Sequence, residues 1–98
     1  MVEHLRHEDF APHLNKTVRF RGWHGALRLA SVTLAPEQPN LPGLTRPPFT
    51  VIFHGPRHDI LPEGLYVADI EDGPSLEFYL APIHTPAPDR QDYQAVFN

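Results

Sequence analysis

The sequence predicts an all-β fold, a small antiparallel barrel or two-layer sandwich of about six strands with a short N-terminal helical turn. Three observations lead there. The stretch Leu65–Pro82, LYVADIEDGPSLEFYLAP, alternates apolar and polar residues on both sides of Asp72-Gly73-Pro74, the pattern of a β-hairpin. Further alternating runs surround Phe20, Val51 and Ala95, separated by turn residues. The chain holds 12 prolines in 98 residues, well above the usual ~5%, which suggests short strands joined by stiff loops.

Residues 6–15, RHEDFAPHLN, form the expected helical turn. Glu8 and Asp9 sit in its first turn, where the helix dipole favours them. Phe10 and Leu14 are four apart and share a face, and Pro12 limits the length. Its place is as a plug for one end of a barrel or for the open side of a sandwich.

Thr17–Trp23 and Ala26–Leu34 make a hairpin around a two-residue turn, His24-Gly25. That register sets Phe20 opposite Leu29 and Gly22 opposite Leu27 on an apolar face. Outside, it sets Arg19 opposite Ala30 and Arg21 opposite Arg28, an unfavourable pair unless an anion lies near. The apolar phase then moves from Leu27 and Leu29 to Val32 and Leu34, which predicts a β-bulge near Ala30-Ser31.

Residues 35–48 form a 14-residue loop with five prolines, held near polyproline geometry, and it reads as a linker or a contact arm. Pro48–His54 follows as a strand with Phe49, Val51 and Phe53 on one face. His54–Gly64 is a turn-rich connection with Ile60 and Leu61 tucked beneath it. In the hairpin that comes next, a three-residue loop at Asp72-Gly73-Pro74 pairs Ile70 with Leu76, Ala68 with Phe78 and Tyr66 with Leu80. That choice separates an apolar face from one carrying Asp69, Glu71, Ser75, Glu77 and Tyr79. A second proline-rich loop, 82–91, leads to a last strand with Tyr93, Ala95 and Phe97 on one face.

The whole chain, 1–98, is expected to form one domain that buries roughly 65% of its unfolded surface. Cysteine is absent, which excludes disulfides, thiolate metal sites and cysteine nucleophiles. A net charge of −4 argues against a general nucleic-acid binder. No run approaches the ~20 apolar residues of a membrane span. The charged start, MVEHLRHEDF, has no apolar signal core, so synthesis in the cytoplasm is expected.

Seven histidines raise a metal reading. His4 and His7 are three apart and His54 and His58 four apart, but neither segment is a sound helix interior; Asp59 and His84 join only if the fold brings them. Turn histidines at the surface are the simpler account, so no metal or other cofactor is expected. Asp69, Glu71 and Glu77 resemble an acid–base group, yet Arg19, Arg21 and Arg28 on the other hairpin can neutralise them within one chain, or between copies. Ser31 and Ser75 lie in no nucleophile elbow. Trp23, beside the first turn, covers a barrel edge or anchors a contact. The candidate interface is therefore Arg19, Arg21, Trp23 and Arg28, with Pro42, Leu44 and Arg46 from the proline loop.

The order of features carries a resemblance. It begins with Phe10, Leu14, Asn15, Lys16, Val18 and Phe20, and continues with Leu27, Leu29 and Val32. It then runs through Pro47 to Pro56, Leu61 to Tyr66, Gly73 to Pro82 and the closing Tyr93 to Asn98. The chain resembles an uncharacterised family of small bacterial β-domains, often encoded beside phage-tail-collar or microcystin-dependent fibre-like proteins. The resemblance implies a stand-alone β domain linked to tail-like or fibre assemblies, and it carries no catalytic residue. The expected function is a non-enzymatic structural or interaction subunit with a protein partner, either itself as a homo-oligomer or a fibre-like protein. The alternatives are a chaperone for such a fibre, and a ligand- or metal-binding barrel with His54, His58 or His84 turned inward.

Overall fold

The computed structural model describes residues 5–34 and 48–97. Two 3-10 turns, His7–Asp9 and Ala11–His13, precede six strands: β1 (Thr17–Phe20), β2 (Ala26–Leu34), β3 (Phe49–Gly55), β4 (Gly64–Ile70), β5 (Ser75–Pro82) and β6 (Gln91–Phe97). They close into an antiparallel barrel in the order β1-β2-β3-β6-β5-β4. The chain thus makes two three-stranded meanders, β1–β2–β3 and β4–β5–β6, joined through β1–β4 and β3–β6.

Period-two alternation turns one side of each strand inward. Val18, Phe20, Leu27, Leu29, Val51, Phe53, Ala68, Phe78, Leu80, Tyr93 and Ala95 fill the interior. Phe53 and Phe78 stack at 5.7 Å with 11° between planes, and Phe20 meets both edge-on, the offset arrangements that aromatic quadrupoles favour.

The N-terminal turns plug one end, as expected. Asp9 accepts a hydrogen bond from the Arg6 amide at 2.7 Å. The fully buried Phe10 packs on Phe49, Phe78 and Phe97, with centroids 5.4–6.0 Å away. Leu14 does not share that face; it is 42% exposed, because the turn ends at His13 before one full α-helical repeat. The opposite end is closed by the β3–β4 connection. There the Leu61 amide donates to the buried Tyr93 hydroxyl at 2.8 Å. Arg57 donates through one Nη1 to the carbonyls of Thr85, Ala87 and Arg90, pinning the β5–β6 loop. Ile60 is half exposed, so only Leu61 of the expected pair is tucked under.

Both hairpin registers differ from expectation while keeping the large apolar residues of each inner face inward; Gly22, expected on that face, lies exposed beyond the end of β1. β1 ends at Phe20, because Gly22 takes φ 87°, a left-handed conformation that glycine adopts without penalty. The pairing is therefore Val18 with Leu27 and Thr17 with Arg28, four residues from the expected register, and Arg21 does not face Arg28. In the second hairpin Ala68 pairs with Leu76 and Tyr66 with Phe78. The loop is Glu71-Asp72-Gly73, one residue earlier than expected. Pro74 has no N–H to give the Ile70 carbonyl, and the Gly73 amide takes that carbonyl instead at 2.9 Å. The expected β-bulge is present, between Leu29 and Ser31.

Candidate interaction surface

Alternation on β1 sends Thr17 and Arg19 outward, and the β1–β4 ladder sets Arg19 opposite Asp69. Arg21, just past the strand, reaches back over β4. Its Nε donates to Asp69 Oδ2 at 3.0 Å and its Nη2 to Oδ1 at 2.9 Å. This two-point fork and the Ser75 hydroxyl hold the Asp69 carboxyl below its usual range, and the carboxylate raises Arg21 in turn. The basic and acidic faces therefore do meet within one chain, through Arg21 alone.

The side chains of Arg19 and Glu71 make no hydrogen bond or ion pair among the described residues. With Thr17, Asp69 and Ile70 they line an open groove of about 300 Å³. Asp69 already accepts from Arg21 and Ser75, so the groove offers one free guanidinium beside one free carboxylate.

Arg28 belongs to another network. Its Nη1 donates to Asn15 Oδ1 at 3.1 Å, and its Nη2 donates to His54 Nδ1, also at 3.1 Å. An arginine has no lone pair to offer, so Nδ1 must be the acceptor and the imidazole is neutral. His54 Nε2 then points its proton toward Asp92, 3.5 Å away, and Arg90 Nε donates to the same carboxylate at 2.7 Å. Burial lowers the His54 pKa; the Arg90 and Arg28 cations add to the shift, while Asp92 opposes it. The result is a row of polar groups across the outer wall of β2, β3 and β6.

With both ring nitrogens engaged, His54 has no free lone pair for a ligand. His58 and His84 are exposed, and His24 Nε2 lies 2.6 Å from Asp59, linking two loops. Among the described residues no three His, Cys, Asp or Glu side chains gather as a metal site; His4 lies outside them.

Trp23 lies half buried against the core. Its indole sits over Gly25, where a Cβ would come within 2.9 Å of the ring. The edge-covering role is thus the one the geometry gives it. Pro42, Leu44 and Arg46 lie outside the described residues. Of the described candidates, Arg21 and Arg28 are spent on internal partners and Trp23 on packing, so Arg19 alone is left free.

Sequence reasoning passed over Leu65, Tyr79 and Val96. They face outward and are 64%, 54% and 53% exposed. The available signal was a large apolar residue in the polar phase of an alternating strand.

Comparison with curated proteins and with solved structures finds no match. The small uncharacterised β-domain family that the motif order suggested has a counterpart in a family model described as a domain of unknown function (DUF6916). That model matches residues 5–97, nearly the whole of the barrel and its plug, and the chain belongs to this family.

Proposed function

We propose that this domain is a non-enzymatic interaction subunit, made in the cytoplasm and built into a phage-tail-like or fibre-like assembly. The observation that carries the reading is the division of the barrel. Its interior is packed with phenylalanine, leucine and valine side chains, while the charged side chains of its strands lie on the outer wall. Chemistry on a small substrate needs converging polar groups, and the groove at Arg19 brings together only one free guanidinium and one free carboxylate. An unpaired guanidinium beside an unpaired carboxylate suits a partner that presents the complementary pair, which confers specificity more than affinity.

Sedimentation of the full chain over a dilution series, alone and with a fibre-like protein as candidate partner, tests this. Self-association or a defined complex is expected, with affinity lowered by Arg19→Glu and by added salt. A monomer that stays monomeric at every concentration and binds nothing overturns the reading.

A further inference from the structure

We propose that the seam between β5 and β6 is a docking edge for an extended polypeptide segment in which basic residues, facing outward, alternate with apolar ones.

The Ile70 amide donates to the Pro74 carbonyl, so Ile70 and Pro74 form a hydrogen-bonded pair of the β4–β5 ladder. In an antiparallel ladder such pairs recur at every second position. Ala68–Leu76 and Tyr66–Phe78 are therefore also hydrogen-bonded pairs, and Ser75, Glu77 and Tyr79 direct their N–H and C=O groups away from β4, toward β6. On β6, the bond from the Ile83 amide to the Asp92 carbonyl sets Asp92, Gln94 and Val96 facing β5 by the same rule.

The β5–β6 ladder does not use them all. It contains Ala81 with Gln94 and Pro82 with Tyr93, and stops before Tyr79 and Val96. β3 and β6, by contrast, pair along seven residues. Past that point the described residues of the two strands form no further ladder pair. Phe78 and Phe97 lie 6.1 Å apart behind the gap, and Phe10 lies within 5.5 Å of each. The backing is filled, so a strand added at the gap would gain ladder bonds without opening the core.

The flanking side chains say what kind of strand fits. Tyr79 and Val96 offer apolar surface on the two sides of the seam, and Leu65, the cross-strand partner of Tyr79, widens it. Glu77 stands exposed in the middle of the free stretch, and Glu63 accepts a hydrogen bond from the Tyr79 hydroxyl. A two-fold contact between the β5 edges of two copies, centred on that stretch, would set Glu77 against Glu77, a repulsive cross-strand pair. Together these features deter self-pairing and leave strand addition by a basic, apolar-alternating segment as the complementary mode. The seam is separate from the Arg19 groove, and its failure would leave that reading standing.

Amide exchange and chemical shifts of the ¹⁵N-labelled full chain test the proposal, with synthetic octapeptides of alternating lysine and valine or of alternating glutamate and valine as probes. In the free protein the Glu77 and Tyr79 amides are expected to exchange at least about tenfold faster than Leu76 and Phe78, which donate within the β4–β5 ladder. Equal protection would mean a closed seam and overturns the proposal. The lysine–valine peptide is expected to shift and slow Glu77, Tyr79 and Val96, and the glutamate–valine peptide is not. Protection by neither, or by both alike, overturns it. Glu77→Lys should reverse the preference; if that chain does not fold, Glu77→Gln should reduce it, and an unchanged preference in the variant that folds counts against the proposal.

Discussion

Two side chains show how much a single residue decides here. The Tyr93 hydroxyl is the acceptor for the Leu61 amide inside the barrel end, and burial pushes its phenol pKa upward. Tyr93→Phe keeps the ring and strands that amide, so a loss of about 1–3 kcal/mol is expected in urea unfolding. His54 gives a pH dependence with a definite sign. Its unfolded value is near 6.5 and its folded value is lower, so the neutral form is the one the fold favours. Its contribution is complete above pH 6.5 and is lost as pH falls through the folded value. Acidification from about pH 7 to about pH 5 should therefore lower the Tm of the native chain more than that of His54→Gln; equal slopes would remove His54 from the account. Neither role was legible in the sequence. Alternation marked Tyr93 as inward, but its hydroxyl partner comes from a loop 32 residues away. His54 was visible only as one of seven histidines, and the arginine that fixes its tautomer lies on a different strand.

Among the elements, the N-terminal turns carry the largest single anchor. Phe10→Ala would open a cavity lined by Phe49, Phe78 and Phe97, at a cost of about 3–5 kcal/mol measurable by urea unfolding. The plug was readable because Phe10 and Leu14 are the large apolar residues of a short charged segment, although only Phe10 is buried. The strands were readable for a comparable reason: a register error of two or four places leaves parity intact, so the core residues on both hairpins came out right although the pairing did not. Pairing depended on Gly22 and Pro74, whose backbone effects fix where each turn closes. The bulge after Leu29 was foreseeable because it changes the parity itself, which the positions of Val32 and Leu34 display.

At the scale of the molecule, closure depends on strands distant in sequence. β6 pairs with β3 along seven residues, so the middle of the chain has no complete sheet until its last strand arrives. A chain truncated after Arg90 should lose its β-sheet circular dichroism and its cooperative thermal transition, whereas removing a surface charge such as Arg19 should leave both unchanged. The strand order could not be read from the sequence, since alternation tells which face a residue occupies and nothing about which strand lies next to it. The free state of Arg19 was hidden for the same reason: it required knowing that Arg21 would take Asp69 first.

The two meanders are interlocked only by noncovalent seams and by one link, the β3–β4 connection. Cut between His58 and Asp59, the polypeptide would yield pieces 1–58 and 59–98, each with two raw edges and half a core. Each piece alone should be unstructured, yet an equimolar mixture should regain the native spectrum, with Arg57 on one piece clasping the 85–90 carbonyls of the other. Such a pair would make the domain a split reporter, assembled only when something else brings its halves together.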